Sequence, residues 1–139
     1  MNITIGSDHA GVEYKSEITH FLEQKKYKIL DVGTYTKESV DYPDYAHLVA
    51  QEVMAGSEFG ILICGSGNGV SMAANKHKGI RAAICWNKEI AKLARNHNNA
   101  NIISLPARFL KKSDALKIIE TFLSEGFDGG RHINRVNKI

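Results

Sequence analysis

The sequence has 139 residues, of which 43% are hydrophobic, and a formal net charge of +3 at pH 7. This length fits a single domain with a substantial core. The mild charge, with no block of five or more basic residues, argues against nucleic acid as a partner. No stretch is predicted to be a signal peptide or a membrane span, and two cysteines without metal or disulfide spacing favour a reducing, cytoplasmic setting.

Short apolar runs and amphipathic stretches alternate through the first half of the chain. In chain order we expect a strand at 3–6, a helix at 9–26, a strand at 27–32, a helix from Pro43 to Gly56 and a strand at 59–64. Pro43 suits the first turn of a helix, and Gly56 suits its end. The residues of this helix that are expected to face the core are Tyr45, Leu48, Val49 and Val53.

The second half continues the alternation. In chain order we expect a helix at 70–77, a strand at 81–85, a helix at 87–96, a strand at 101–105 and a helix that Ser113 caps and Gly126 ends. Residues 127–139 break the pattern and are expected to form a tail that leaves the sheet. Since no linker or repeat interrupts the chain, residues 1–139 are predicted to form one domain.

Five strands alternating with helices predict an α/β fold. We expect a three-layer α/β/α, doubly wound, Rossmann-like parallel sheet of five strands. Ligands bind such folds beyond the carboxyl ends of the strands, near the point where the strand order reverses. This rule selects the residues that follow the predicted strands, which are Asp8, His9, residues 64–69, Trp86, Asn87 and Arg108.

A glycine-rich loop follows the third predicted strand, which ends at Cys64. Its residues are Gly65, Ser66, Gly67, Asn68 and Gly69. Glycines let backbone N–H groups approach an anion, and a helix start adds positive partial charge. The loop lacks the Gly-Lys-Ser/Thr end of a P-loop, and no acidic residue ends the next strand, which argues against a nicotinamide cofactor. We therefore predict an anion-binding loop, with a tight turn that holds no ligand as the alternative.

The two cysteines differ in their predicted roles. Cys64 is the last strand residue before the glycines, where fixed N–H dipoles favour the thiolate. Its position supports a reactive thiol and a buried structural cysteine about equally. Cys85 falls inside a predicted strand, and we expect it to be structural.

Five polar side chains outside the glycine loop are further candidates. Asp8 can cap the first helix, and His9 can bind an anion at that helix start. His97 is either a solvated loop histidine or a proton carrier, since imidazole titrates near neutral pH. Arg131 and Arg135 lie four residues apart, so they form either a solvated basic end or a pair of guanidinium groups that holds a phosphate.

Metal binding is not expected from the sequence. The six histidines are scattered along the chain, and neither an H-E-x-x-H nor a C-x-x-C pattern is present.

Seven segments, in order along essentially the whole chain, resemble one family. They are Ser-Asp-His-Ala-Gly at 7–11, Asp-Tyr-Pro-Asp-Tyr-Ala at 41–46, Gly-Ile-Leu-Ile-Cys-Gly-Ser-Gly-Asn-Gly at 60–69, Ala-Ala-Asn-Lys at 73–76, Gly-Ile-Arg-Ala-Ala at 79–83, His-Asn-Asn-Ala-Asn at 97–101 and Gly-Gly-Arg-His at 129–132. The chain resembles type B ribose-5-phosphate isomerases, whose family also contains isomerases of galactose 6-phosphate and allose 6-phosphate.

This resemblance implies an aldose–ketose isomerase that needs no cofactor. The enzyme would be a homodimer or homotetramer whose active sites lie across a subunit interface. Cys64 would be the general base that moves a proton between C1 and C2 of the open-chain sugar through an enediolate. Some relatives carry a glutamate at the position that matches Val70, and valine cannot act as a base.

The resemblance also implies roles for the other candidates. Ser66 and the loop residues Gly65, Gly67, Asn68 and Gly69 would form the anion hole for the enediolate oxygen. His97 and Asp8 would take part in opening the furanose ring, and Tyr42 and Asn98 would contact the substrate. The phosphate would be held by His9 and Arg108, with Arg131 and Arg135 supplied by the tail of a partner subunit.

Two other functions stay open at this point. One is isomerisation of a six-carbon sugar phosphate, which would need only a larger pocket. The other is a module that binds a phosphosugar or a nucleotide without catalysis, for which neither Cys64 nor His97 would be required.

Overall fold

A computed structural model describes residues 1–139 and contains one sheet of five strands. The strands are β1 (Asn2–Ser7), β2 (Lys28–Asp31), β3 (Phe59–Cys64), β4 (Ala82–Ile84) and β5 (Ile102–Pro106). Their order in the sheet is β2-β1-β3-β5-β4, and every neighbouring pair is parallel. The predicted doubly wound parallel sheet is therefore confirmed.

The chain has six α-helices, of which the first five alternate with the strands. They are α1 (Val12–Gln24), α2 (Tyr42–Ala55), α3 (Asn68–Ala74), α4 (Lys88–Asn96), α5 (Lys112–Ser124) and α6 (Ile133–Val136). Helices α2 and α3 pack together on one face of the sheet, and α1, α4 and α5 pack on the other. None of them is both long and apolar enough to span a bilayer.

Each face of the sheet has its own core because a strand turns alternate side chains to opposite faces. Ile61 and Ile63 belong to the larger core beneath α1, α4 and α5, whereas Leu62 and Cys64 belong to the smaller core beneath α2 and α3. All four residues are buried. The central strand β3 is thus apolar on both faces, as its uninterrupted hydrophobic run predicted.

Local sequence signals explain where several helices begin and end. The side chain of Asp8 accepts a hydrogen bond from the N–H of Ala10 and caps the first turn, as predicted. Asn87 caps α4 in the same way through the N–H of Ile90. Pro43 lies in the first turn of α2, and Gly56 ends this helix with a φ of 131° that favours glycine.

Three predictions about single residues were wrong. Ser113 does not cap α5, because the chain turns earlier and Lys111 occupies the N-cap position without a side-chain cap. Leu48 is 42% exposed, since the buried stripe of α2 runs through Ala46, Val49 and Ala50. Cys85 lies just beyond β4, although it is fully buried.

Residues 127–139, the predicted tail, add no strand to the sheet and contain two short helical segments. A 3₁₀ turn at Gly130–His132 leads into α6, and neither segment has a buried residue. The tail begins against α4, since the N–H of Asp128 donates a hydrogen bond to the carbonyl of Asn96 at 2.9 Å.

Candidate functional site

The candidate site lies where β1 and β3 end side by side. From β1 the chain continues to β2 on one side of the sheet, and from β3 it continues toward β4 on the other. The order therefore reverses between these two strands, and a crevice opens beyond their carboxyl ends. The N–H of Asp8 donates a hydrogen bond to the carbonyl of Ile63 at 3.1 Å, which holds the turn after β1 beside the loop after β3.

Cys64 lies at the floor of the glycine loop. Its side chain is 4% exposed, and its Sγ accepts a hydrogen bond from the N–H of Gly67 at 3.0 Å. Gly67 has a φ of 75°, a conformation that suits glycine and turns the loop back over the sulfur. The sulfur is therefore held against a fixed backbone donor at the floor of the loop.

The loop also presents backbone N–H groups that the protein leaves free. The N–H of Asn68 donates to Oγ of Ser66 at 3.3 Å, but the N–H groups of Ser66 and Gly69 have no partner in the chain. Ser66 and Asn68 are exposed. Free N–H groups next to a hydroxyl are suited to bind an oxyanion.

Two side chains close over the loop from different elements. A Cβ atom on Gly69 would lie 2.4 Å from the ring of Tyr42, and one on Gly65 would lie 3.1 Å from a guanidinium nitrogen of Arg108. Arg108 is also fixed by its own N–H, which donates to the carbonyl of Gly65 at 3.1 Å. The absence of side chains at these two glycines therefore lets Tyr42 and Arg108 lie close to the loop.

His9 faces the same crevice with one ring nitrogen already engaged. Its Nδ1 accepts a hydrogen bond from the N–H of Val40 at 3.3 Å, so Nε2 carries the proton of the neutral ring. The segment that contains Val40 is also held at its other end, where the N–H of Gly33 donates to Asp31 at 2.8 Å. Asp31 forms a partly buried ion pair with Lys15 of α1. His9 therefore offers an N–H donor at Nε2.

The carboxyl edge thus carries most of the residues predicted to form a site. These are Asp8, His9, Tyr42, Cys64, Gly65, Ser66, Gly67, Asn68, Gly69 and Arg108. The exposed side chains of Trp86 and Phe109 line an open cavity beside Ser66 and Asn68. The position of Trp86 after a strand had predicted its place at this edge, whereas nothing in the sequence pointed to Phe109.

The other predicted residues lie at the opposite edge. Helix α4 starts beyond the carboxyl end of β4 and returns the chain to the amino end of β5, so His97 and Asn98 follow it there. His97 stacks on His132 of the tail, with ring centroids 4.2 Å apart and planes 12° apart. Arg131 and Arg135 flank His132.

Burial and positive neighbours act on His132. The pKa of His132 is lowered, mainly by desolvation and to a smaller extent by the charges of His97, Arg131 and Arg135. The charge of Asp128 acts in the opposite direction and raises it. The tail therefore holds a neutral imidazole among cationic groups at neutral pH.

A clamp of buried polar groups joins the His97 loop to the tail. The guanidinium of Arg95 donates to the carbonyls of Ala100 at 2.6 Å and Glu125 at 3.2 Å. The side-chain amide of Asn96 donates to the carbonyl of Gly126 at 2.7 Å. Arg95 and Asn96 are both less than 10% exposed. Nothing in the sequence pointed to this clamp, because most of its acceptors are backbone carbonyls that any residue could supply.

Within one chain, Cys64 at the carboxyl edge and His97 at the amino edge lie far apart. Cys64 is paired with Pro106 at one end of β5, and His97 lies beyond Ile102 at the other end. The strand between Ile102 and Pro106 alone spans about 13 Å. Cys64 and His97 of one chain are therefore too far apart to contact the same small molecule at its reacting atoms.

Comparison with known proteins places this arrangement in a family. Residues 3–139 match the family model described as Ribose/Galactose Isomerase. A ribose 5-phosphate isomerase from Thermotoga maritima is 51% identical, with a TM-score of 0.97 over 99% of this chain and 95% of that one. Ribose-5-phosphate isomerase B from Clostridium thermocellum is 50% identical, with a TM-score of 0.98 over 99% and 94%. The enzyme from Mycoplasma genitalium, solved with bound ribulose-5-phosphate, is 46% identical, with a TM-score of 0.95 over 99% and 92%.

The two thiols are expected to differ in reactivity. Burial raises the pKa of the Cys85 thiol to about 12, so only about 10⁻⁴ of it is thiolate at pH 8. Cys64 has an N–H donor at its sulfur and lies at the crevice. Peptide mass spectrometry after iodoacetamide treatment should find Cys64 alkylated in the folded protein and Cys85 only after unfolding. Alkylation of Cys85 before Cys64 would contradict this assignment.

Proposed function

The chain belongs to the Ribose/Galactose Isomerase family, and we propose that it interconverts ribose 5-phosphate and ribulose 5-phosphate. The names of the three solved relatives and the ribulose-5-phosphate bound to one of them support this substrate. The observation that carries the proposal is the Sγ of Cys64, held by the N–H of Gly67 beneath a loop with free N–H groups.

Cys64 is the general base in this proposal. Its thiolate accepts the proton from C2 of the open-chain aldose, the C–H electron pair forms the C1–C2 double bond, and the carbonyl electrons move to O1. The proton of the C2 hydroxyl then moves to O1, the electrons left on O2 form the C2 ketone, and the C1–C2 double-bond electrons take the proton back from the thiol at C1. A thiolate can act as a general base, and the N–H of Gly67 fixes the position of this sulfur beneath the loop.

The glycine loop stabilises the intermediate. Negative charge develops on O1 in the enediolate, and preorganised donors lower its energy without having to reorient. We assign this role to the hydroxyl of Ser66 and to the loop 65–69, whose N–H groups at Ser66 and Gly69 are free. Val70, which follows the loop, is buried and has no group that could exchange a proton.

The rest of the substrate is assigned to the residues around this loop. Arg108 and Nε2 of His9 hold the phosphate, since both are donors at the crevice. Tyr42 contacts the sugar from above Gly69. Asp8, which is 7% exposed and follows β1, takes part in opening the furanose ring.

A second copy of the chain completes the site. His97 and Asn98, with Arg131 and Arg135, lie at the amino edge, where they cannot reach Cys64 of their own chain. We therefore assign them to the site of a partner subunit, with His97 in ring opening, Asn98 on the sugar and the arginines on the phosphate. Residues 1–139 then act as one domain of a homodimer or homotetramer, with residues 127–139 as the intersubunit tail.

The proposed compartment is the cytoplasm. Both cysteines are free and buried, and the mechanism needs Cys64 in its reduced form, which a reducing compartment maintains.

The substrate assignment is tested by turnover. We expect purified protein to form ketose from ribose 5-phosphate in the presence of EDTA, with a higher kcat/KM than for allose 6-phosphate. One additional carbon changes pocket contacts by roughly 1–3 kcal/mol, or about 10- to 200-fold. A higher kcat/KM for allose 6-phosphate would show that the preferred substrate is a hexose phosphate. Calorimetric binding of either sugar without turnover would show that the protein is a binding module.

The role of Cys64 is tested by Cys64→Ala. We expect kcat to fall by about 10²- to 10⁴-fold, the usual contribution of a general base, with binding of ribose 5-phosphate retained. The matched control is Cys85→Ala, which removes the other buried thiol and should leave kcat near the wild-type value. Near-normal turnover of Cys64→Ala would remove this thiol from the mechanism.

The shared site is tested by mixing two inactive variants. Cys64→Ala removes a carboxyl-edge group, and His97→Asn removes an amino-edge group. After subunit exchange in a 1:1 mixture, half of the dimers are mixed and each has one intact site, so about a quarter of wild-type activity should return.

The control for this experiment mixes Cys64→Ala with Arg108→Ala. Both substitutions lie at the carboxyl edge, so no mixed dimer has an intact site and activity should not rise above that of Arg108→Ala alone. Recovery in neither mixture would show that the site belongs to a single chain.

A further inference from the structure

Three potential metal ligands meet at the amino edge of the sheet. They are His97 after α4, Asp128 at the start of the tail and His132 in the 3₁₀ turn before α6. One ligand atom from each residue lies within 4.8 Å of the other two. The sequence did not predict this cluster, because 30 residues separate Asp128 and His97 and the ligands come from different elements.

Two imidazoles and a carboxylate are a donor set for divalent transition metals. Nitrogen and carboxylate ligands suit Zn²⁺, Co²⁺ and Ni²⁺, which bind imidazole more tightly than Mg²⁺ or Ca²⁺ do. Bonds of about 2.0–2.1 Å around a tetrahedral ion require ligand atoms about 3.4 Å apart. Since Asp128 is exposed and both rings are partly exposed, small side-chain rotations suffice to close the gap from 4.8 Å.

The protein fixes the backbone of the cluster before any ion binds. The carbonyl of Asn96, next to His97, accepts the N–H of Asp128 at 2.9 Å, and the side chain of Asn96 holds the carbonyl of Gly126. His132 is stacked on His97. The ligands on α4 and on the tail are thus joined in the free protein, which lowers the entropic cost of binding.

Two positively charged side chains lie close to the three ligands. Arg131 and Arg135 repel a bound cation, although their exposed side chains can turn toward solvent. We expect an affinity well below that of a structural zinc site.

A second histidine pair provides a comparison. His47 and His77 have ring nitrogens 2.7 Å apart, but these atoms are joined by a hydrogen bond and the pair belongs to no three-ligand group. One ring nitrogen donates its proton to the lone pair of the other, so this pair is the weaker candidate for a metal site.

We propose that His97, Asp128 and His132 form a binding site for one divalent transition-metal ion, such as Zn²⁺. A metal bound there takes a lone pair of His97 and places positive charge beside Arg131 and Arg135. The ion is then an inhibitor, because His97 can no longer exchange a proton with the sugar. This consequence for activity rests on the proposed function, whereas the binding itself does not.

The experiment is a calorimetric titration of the full-length protein with ZnCl₂ in a buffer that does not chelate metals. We expect one Zn²⁺ per chain in the wild type, with Kd raised about 10-fold or more by Asp128→Asn and about 100-fold by His132→Ala. His77→Asn is the matched control and should bind Zn²⁺ like the wild type. Melting temperatures of all variants show whether each is folded.

Three results would overturn the proposal. They are the absence of stoichiometric binding in the wild type, equal Kd values in Asp128→Asn and the wild type, and loss of binding in His77→Asn. In parallel, Zn²⁺ should inhibit ketose formation by the wild type, and Asp128→Asn should keep the basal rate but need at least about 10-fold more Zn²⁺ for the same inhibition. A protein that binds Zn²⁺ in this pattern but does not isomerise ribose 5-phosphate would refute the proposed function and leave the metal site intact.

Discussion

The common direction of the five strands determines where every functional residue lies. In a parallel sheet, a segment that follows a strand emerges at the carboxyl edge, and a segment that follows the return helix emerges at the amino edge. Cys64 and Arg108 follow strands, whereas His97 follows α4. The separation of these groups is thus a result of topology and does not depend on any side-chain conformation. A single binding site that contained groups from both edges would therefore have to be built from two chains.

At the carboxyl edge, close packing and chemistry depend on the same glycines. Gly67 adopts a left-handed conformation and places its N–H on the sulfur of Cys64. Gly65 and Gly69 leave room for Arg108 and Tyr42 to lie directly on the loop. The absence of side chains at these positions therefore serves two purposes, because it exposes backbone N–H donors and lets a charged and an aromatic side chain lie against the loop.

Much of this could be predicted from the sequence, and the failures have physical causes. The bounds of β3 and the cap at Asp8 were predicted correctly because a continuous apolar run and a capping side chain are local signals. Ser113 failed as a cap because the backbone at Lys111 had already started the helix. The cluster of His132 with Asp128 depends on how the tail packs against α4, which no spacing in the sequence encodes.

The clamp around Arg95 and Asn96 has a consequence for how such sequences can diverge. Arg95 packs over the rings of Phe59 and Phe122 while it holds the carbonyls of two separate segments, so one side chain supports a strand, a helix and the tail together. A substitution of Arg95 should therefore disturb the loop after α4 and the start of the tail at the same time, so changes in these segments are expected to be coupled. Residues 95–100 and 125–128 thus form one structural unit, although 24 residues lie between them.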